Sequence, residues 1–323
     1  MAREEVGYRS AVPDPTDLLV LGDVNPDLIL VGDVEPAFGQ VERIVEDARL
    51  TVGGSGAIVA CGAARLGMRT AICGVVGDDV FGRFMREELE RRGVDVAGLL
   101  VDPNAPTGLT VVLSRPSDRA ILTRTGAIAD LRSDRVDRRT LDAARHVHIA
   151  SYYLQDALRP GLPDLFERLH ANGTTTSLDP NWDPSERWDD GLLELLSLTD
   201  VFLPNAEEAT RIAKIASVDE AARSLASRSG VVVVKTAGDG AIAASGDELV
   251  RAPAARVEAL DATGAGDAFD AGFLASRLGG DPLERSLAIA NACGALSTRA
   301  LGGTDAQPTM NEVTELLEGR SDR

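Results

Sequence analysis

The chain has 323 residues, of which 44% are hydrophobic and 26% are charged, a composition typical of a globular protein with a substantial core. Its net charge of −18 argues against binding to nucleic acid or to anionic membranes, and no apolar run reaches transmembrane length. The three cysteines form no C-x-x-C pair and the N-terminus lacks the apolar core of a signal peptide, which together predict a cytoplasmic protein.

The first predicted element is a buried parallel strand at residues 18–24, a short apolar run that ends in Gly and Asp. Asn25 and Asp27 follow it at the carboxyl end, which is where open α/β sheets bind ligands. Gly53 and Gly54 then begin a helix rich in Gly and Ala, and this start lets a ligand approach the backbone. Tight packing of the helix on a sheet explains the same residues equally well.

The next feature is a set of extended segments that stand apart from the main pattern. Residues 28–52 contain two polar segments, and residues 107–125 alternate around a polar turn, as a hairpin does. We expect these segments to form a small β-sheet that acts as a lid over the substrate and excludes water.

From residue 146 onward, strands alternate with helices, which predicts a doubly wound, mostly parallel sheet flanked by helices. Sheet and lid are expected to form one domain over residues 18–318, with residues 1–17 and 319–323 as flexible tails. Turn formation alone accounts for any single polar residue after a strand. Those that fall at the ligand-binding edge are Ser151, Asp179, Asn205, Glu208, Lys235 and Thr236.

Residues 261–269 read D-A-T-G-A-G-D-A-F and predict a Gly-rich turn that enters a helix. The N–H groups of Gly264, Ala265 and Gly266 lack earlier carbonyls to bond, and the absence of large side chains lets an anion approach them. Asp267 lies in the same turn. Donors for a phosphoryl group beside a base for a hydroxyl are what phosphoryl transfer to an alcohol requires. Taken alone, the stretch is more simply a capped helix with Thr263 at its start.

These motifs resemble those of the ribokinase-like, PfkB-type carbohydrate kinases over residues 18–317. The most specific match is residues 261–269, which are similar to the C-terminal signature of that family. Supporting matches are G-G-S-G-A followed by A-A-R-L-G in residues 53–67, the run that ends V-V-G-D-D-V-F-G at Gly82, N-A-E-E at residues 205–208, and V-K-T-A-G-D-G. Their order and spacing are also those of the family.

The resemblance implies an ATP-dependent and Mg²⁺-dependent kinase that phosphorylates a hydroxymethyl group of a small carbohydrate. It implies that Asp267 is the base and that the turn of residues 264–266 is the anion hole. Glu208 would hold Mg²⁺ through water. Asp261 and Thr263 would contribute to a monovalent-cation site, for K⁺, of the kind that some members have.

The resemblance also assigns the two substrates. The residues implied for the sugar are Asn25, Asp27, Gly53, Gly54, Ser151 and Asp179. Those implied for the nucleotide are Asn205, Lys235, Thr236, Gly238, Gly240 and Asn291. The lid of the family is often also a dimer surface, so a homodimer through the lid is a candidate assembly.

One position departs from the family pattern. The motif G-G-x-x-x-N usually places an Asn on the sugar, whereas this chain has Ile58, whose side chain cannot form a hydrogen bond with a hydroxyl. Two alternatives therefore stay open beside the sugar kinase. One is a nucleoside kinase with the same machinery, and the other is a non-catalytic sugar-binding or nucleotide-binding sensor, which Ile58 favours and the intact Asp267 disfavours.

Overall fold

The computed structural model describes residues 15–115 and 118–319. The strands are β1 (Leu18–Leu21), β2 (Asn25–Val31), β3 (Asp47–Gly53), β4 (Thr70–Gly77), β5 (Leu99–Asp102), β6 (Leu109–Arg115), β7 (Asp118–Arg124), β8 (His146–Ile149), β9 (Thr175–Leu178), β10 (Val201–Phe202), β11 (Val231–Lys235), β12 (Ala241–Ser245) and β13 (Glu248–Ala252). The α-helices are α1 (Ser55–Arg65), α2 (Val80–Arg91), α3 (Arg138–Ala143), α4 (Leu162–Ala171), α5 (Leu192–Leu195), α6 (Ala206–Ala213), α7 (Val218–Ala226), α8 (Ala265–Leu278), α9 (Leu283–Ser297) and α10 (Met310–Leu317).

Nine strands form the main sheet, in the order β13-β12-β11-β10-β9-β8-β1-β4-β5. All pairs from β11 to β5 are parallel, and the hairpin of β12 and β13 adds an antiparallel edge. The chain moves outward from β1 to β5 on one side and from β8 to β13 on the other. This reversal beside β1 is the topological switch point, and ligands of such sheets bind outside the carboxyl ends of the strands there.

The apolar run of β1 shows why the sheet is buried on both faces. All four of its residues are fully buried. Leu18 and Val20 pack in the core cluster that includes residues of α1, α8 and α9, whereas Leu19 and Leu21 pack in the cluster that includes α4 and α7. A strand covered by helices on both faces reads as a continuous apolar run, which is how β1 was recognisable in the sequence.

The other four strands form a separate small sheet in the order β3-β2-β6-β7. The strands β2 and β6 are parallel, and the pairs β2–β3 and β6–β7 are antiparallel. The doubly wound sheet with a small β lid is therefore confirmed. One detail differs from the sequence prediction: β1 ends at Leu21, so Asn25 and Asp27 belong to a strand of the lid and not to a turn after β1.

The tail prediction needs a correction at its inner end. Residues 1–14 and 320–323 lie outside the described residues. Thr16 and Asp17, which were assigned to the tail, are bonded to the main sheet region: the Thr16 N–H donates to the Ala143 carbonyl at 3.0 Å, and Asp17 pairs with Arg69 at 2.8 Å. The fold thus begins before Leu18. Over the described ranges, no helix is both long and apolar enough to cross a membrane.

Candidate active site

A cavity of about 650 Å³ opens at the carboxyl end of the main sheet, a volume within the range of roughly 300–1,000 Å³ common for small-molecule sites. It brings together most of the predicted site residues. Those that line it are Asp179, Asn205, Glu208, Lys235, Gly238, Gly240, Gly264, Ala265, Gly266, Asp267 and Asn291. These residues come from distant parts of the sequence. Turn formation alone would not bring them together, so their convergence supports a functional site.

The turn before α8 can be made only by glycine at its first position. Gly264 has a φ of +71°, and a Cβ there would lie 2.6 Å from the Cα of Gly303. The N–H of Ala265 donates to the Ala262 carbonyl at 3.3 Å, a long bond that an incoming anion can replace. The next amides, of Gly266 and Asp267, precede any intrahelical partner. The helix therefore presents backbone donors and the positive end of its dipole to the cavity.

Asp267 lies in the first turn of α8 and accepts a hydrogen bond from the Ser55 hydroxyl at the start of α1. Removal from water raises the pKa of Asp267 to about 7. The hydrogen bond from Ser55 lowers this pKa, whereas the negative charge of Asp179 raises it further. A carboxyl group with such a pKa takes and releases a proton near neutral pH. Asp267 is therefore suited to general base catalysis.

Lys235, at the end of β11, forms a buried triad with two carboxyl groups. Its Nζ lies 2.7 Å from Asp179 Oδ2 and 3.1 Å from each oxygen of Asp270. Burial opposes the charge of Lys235, but Asp179 and Asp270 raise its pKa above the usual value, so it stays an ammonium. Burial also raises the pKa of Asp270 well above its usual value, which leaves Asp179 as the ionised partner.

The triad lies beside the turn of residues 264–266, called the anion turn below. A Cβ on Gly266 would lie 3.8 Å from the Nζ of Lys235, so the ammonium stands beside the backbone donors of α8. Asp270 was not predicted. It lies on α8 one turn after Asp267 and is fully buried. The spacing i, i+3 from Asp267 places both carboxyl groups on one helix face, which is a signal the sequence contained.

Asn205 and Glu208 form a capping box at the start of α6. The Asn205 side chain accepts from the Glu208 N–H at 2.9 Å, and Glu208 Oε2 accepts from the Asn205 N–H at 2.8 Å. Burial raises the pKa of Glu208 to about 7, with a further contribution from Asp179. The N-x-x-E spacing is itself that of a capping box, so the motif also has a structural role.

Of the residues predicted to bind sugar, Asp179 lines the cavity, whereas Asn25, Asp27, Gly53 and Gly54 form a cluster beside it. Asn25 is 2% exposed and Asp27 is 6% exposed, and the Asn25 amide donates to the Thr110 hydroxyl at 3.2 Å. A Cβ on Gly53 would lie 1.9 Å from the Asp27 carboxylate, so only glycine permits this packing. Gly54, with a φ of +78°, joins the cluster to Ser55, which bonds Asp267.

Asp23 is a second residue that the sequence prediction missed. Its two carboxylate oxygens accept from the N–H groups of Ser55 and Gly56, each at 2.9 Å, and so cap a helix whose own start is Gly54. Burial raises the pKa of Asp23 above its usual value. A helix that begins at Gly-Gly has no side-chain cap of its own. That absence was the signal in the sequence that a cap must come from another part of the chain.

Three other predicted residues support the walls of the site. Ser151 is buried and accepts from the Asn181 amide at 3.0 Å. The Thr236 N–H donates to the Gly240 carbonyl at 2.9 Å and closes the turn after β11. The amide of Asn291 donates to the Ala252 and Pro253 carbonyls, each at 3.1 Å, and thereby fixes the segment that borders the cavity. Of these three, Asn291 alone belongs to the lining given above.

Ile58 packs against Gly264, and Asp261 holds the segment that precedes this turn. Ile58 is 3% exposed, and a Cβ on Gly303 would lie 2.5 Å from its Cδ1. Its side chain therefore fills the space behind Gly264, which explains an apolar residue at this position. Asp261 Oδ1 accepts from the N–H and the hydroxyl of Thr263 at 2.9 and 2.8 Å, and its Oδ2 accepts from the Gly302 N–H at 2.8 Å.

The side chains therefore differ in how well they suit metal ions. Both carboxylate oxygens of Asp261 and the hydroxyl of Thr263 already take part in hydrogen bonds, which leaves few of their lone pairs for a K⁺ ion. Within residues 15–115 and 118–319, no group of three His, Cys, Asp or Glu side chains is arranged to hold a metal ion. Mg²⁺ would fit the cavity if phosphate oxygens and water supplied most of its ligands, with Glu208 bonded to one of those waters.

Comparisons with known proteins agree with this geometry. A sequence profile described as pfkB family carbohydrate kinase matches residues 15–310. The chain is 33% identical over 307 residues to an ATP-dependent ribose-1-phosphate kinase of Halopiger xanaduensis, covering 94% of this chain and 99% of the relative. It is 34% identical over 318 residues to a fructokinase of Klebsiella pneumoniae, covering 92% and 98%. A putative ribokinase II of E. coli, solved with ATP and Mg²⁺, superposes with a TM-score of 0.84 at 26% identity, covering 94% and 99%.

Proposed function

Because this chain belongs to the pfkB family of carbohydrate kinases, we propose that it transfers the γ-phosphoryl group of ATP to a hydroxymethyl group of a small carbohydrate. The observation that carries this proposal is the position of Asp267. It lies inside the turn that offers backbone donors to an anion, and Ser55 connects it to the cluster of Asn25, Asp27 and Gly54. A base between a phosphoryl site and a sugar site is what in-line transfer to an alcohol needs.

In this proposal each residue has a defined task. Asp267 takes the proton of the acceptor hydroxyl as its oxygen attacks phosphorus. The amides of Gly266 and Asp267 stabilise the charge on the transferring group, and the Lys235 ammonium adds a fixed positive charge beside them. Mg²⁺, when bound, would neutralise phosphate charge. The lid excludes water, which would otherwise compete with the acceptor.

The nucleotide is assigned to the part of the cavity formed by the turn after β11 and by α9. Small residues, among them Gly238, Gly240 and Ala255, leave space for the base and ribose between these two elements. The similar E. coli ribokinase II was solved with ATP and Mg²⁺, which supports ATP as the nucleotide. A sensor without catalysis is not retained, since the family consists of kinases and Ile58 is accounted for by its packing on Gly264.

The experiment that tests the proposal is ADP release from Mg·ATP across ketoses, aldoses, sugar acids, sugar phosphates and nucleosides, each compared with the background without acceptor. We expect a free sugar to give the highest turnover, because the cluster assigned to the acceptor contains the Asn25 amide and the Asp27 carboxyl group, which suit hydroxyl groups. Highest turnover with a nucleoside would favour the nucleoside kinase. Background turnover with every acceptor would contradict the proposal.

Glu208→Gln is expected to raise the Mg²⁺ concentration needed for half-maximal turnover by about 10-fold, the lower end for loss of an outer partner of a metal. Glutamine keeps an oxygen that can accept from the Asn205 N–H, so the cap of α6 survives the change. The matched control is Glu207→Gln, because Glu207 lies in the same helical turn but is exposed and pairs with Arg211. An unchanged Mg²⁺ titration for Glu208→Gln would remove its assigned role.

The lid also carries exposed apolar side chains. Ile121 is 55% exposed and Leu122 is 61% exposed on β7, an edge strand of the small sheet. We therefore retain the homodimer through the lid as a proposal. Light scattering on the purified protein is expected to give twice the chain mass. Asp substitution of Leu122 should then shift the protein to the mass of one chain, and a monomeric parent protein would contradict the assembly.

A further inference from the structure

One cationic side chain reaches the anion turn from the lid. Arg119 lies near the start of β7, and its Nη1 donates to the Thr263 hydroxyl at 3.0 Å. The same nitrogen is 3.9 Å from Asp261 Oδ1. Arg119 also lines the cavity that contains Gly264 and Asp267. The lid thus contributes a positive charge to the segment that immediately precedes the phosphoryl site.

That segment contains a negative charge that would oppose catalysis. Asp261 lies three residues before Gly264, and its hydrogen bonds to Thr263 and Gly302 fix the turn in place. A fixed carboxylate this close to the anion turn repels an incoming phosphoryl group, and the repulsion is strong where water is excluded. A positive charge near Asp261 is therefore needed when the site is occupied. A monovalent cation would supply it, but the Arg119 guanidinium already lies there, 3.9 Å from Asp261 Oδ1 and bonded to the Thr263 hydroxyl.

We propose that Arg119 takes the place of a monovalent cation in this kinase, neutralising Asp261 and completing the electrostatics of the anion turn when the lid is closed. The proposal rests on the proposed phosphoryl transfer at this turn. Arg119 is then a positioning residue, since it acts through Asp261 and Thr263. The guanidinium also affects the cluster assigned to the sugar. Burial and the charge of Asp23 raise the pKa of Asp27 to about 7, and the positive charge of Arg119 acts to lower it.

The proposal has two consequences that a merely structural role for Arg119 does not have. The parent protein should not distinguish K⁺ from a cation too large to bind. Arg119→Ala should acquire a response to K⁺, because it removes the donor to the Thr263 hydroxyl and the positive charge 3.9 Å from Asp261 Oδ1. Arg119→Lys keeps a positive charge on the lid and should behave as the parent does in its response to salt.

The first test needs no sugar. The melting temperature is measured with Mg²⁺ and the β,γ-imido analogue of ATP in KCl and in tetramethylammonium chloride at equal ionic strength. We expect equal values in the two salts for the parent protein and for Arg119→Lys, and a higher value in KCl for Arg119→Ala. Arg115→Ala is the matched control, since Arg115 lies on the same hairpin but pairs with Glu35. A K⁺-specific rise in the parent protein, or none in Arg119→Ala, would overturn the proposal.

The second test is turnover with the best acceptor of the panel. In tetramethylammonium chloride, kcat of Arg119→Ala is expected to fall by about 10- to 100-fold. Addition of KCl or guanidinium chloride at matched ionic strength should restore several-fold of that loss. A loss that neither salt restores would mean that Arg119 only fastens the lid. If no acceptor in the panel is phosphorylated, the proposed function fails, while the melting experiment still decides the role of Arg119.

Discussion

Asp267→Asn is expected to reduce kcat by about 10²- to 10⁴-fold, the contribution usual for a general base, while binding of ATP stays nearly unchanged. Asparagine has the shape of aspartate and can still accept from the Ser55 hydroxyl, so the turn and the fold are retained. It cannot take the proton of the acceptor. The measurements are initial rates of ADP release and calorimetric titration with ATP. Asp247→Asn, an exposed carboxyl in the hairpin of β12 and β13, is the control.

The pH dependence of the parent protein provides a second view of the same residue. The pKa of Asp267 is raised to about 7, and only the deprotonated carboxylate can act as the base. The rate constant kcat/KM should therefore fall about tenfold for each unit of pH below 7 and level off above it. Retained turnover in Asp267→Asn, or a flat profile between pH 5 and 7, would remove Asp267 as the base.

Lys235→Met is expected to lower the free energy of unfolding by about 3–5 kcal/mol, the loss typical when one partner of a buried ion pair is removed. Methionine fills similar space but leaves Asp179 as a buried charge without its partner at 2.7 Å. Asp270, fully buried and 3.1 Å from the ammonium, loses its partner as well. Urea unfolding followed by tryptophan fluorescence measures the change.

The chain contains a matched control for this variant. Lys214, the other lysine, is exposed after α6, and Lys214→Met should stay within about 0.5 kcal/mol of the parent protein. Asp179→Asn added to Lys235→Met removes the buried charge and should recover part of the lost stability. A loss below about 1 kcal/mol for Lys235→Met would mean that water reaches the triad and that its charges are screened.

The sequence predicted those parts of the site that lie within one local pattern. The Gly264–Gly266 turn and Asp267 were recognisable because a Gly-rich start of a helix is a short-range feature. The pairs that tune the site are long-range: Ser55 and Asp267 are 212 residues apart, Arg119 and Thr263 are 144 apart, and Lys235 and Asp270 are 35 apart. Periodicity and turn propensity carry no information on such contacts, which arise only when strands and lid meet at one edge of the sheet.

The same distinction explains what the sequence did not predict. The predicted strand at residues 18–24 was apolar enough to place β1, but nothing in its composition showed that the chain crosses into the lid before Asn25. The K⁺ assignment to Asp261 and Thr263 came from resemblance alone and stays a prediction. Their oxygens proved to be engaged by Gly302 and by Arg119, residues that no local motif connects to them.

The measurement that tests the central claim most directly is a proton-coupled ³¹P spectrum of the product formed from Mg·ATP and the best acceptor. Transfer to a hydroxymethyl group places phosphorus next to a CH₂, so the new phosphomonoester should appear as a triplet. With Asp267→Asn it should form about 10²- to 10⁴-fold more slowly. A doublet would show transfer to a secondary hydroxyl. Inorganic phosphate without any ester would show that water, and not a sugar, accepts the phosphoryl group, which would contradict the account.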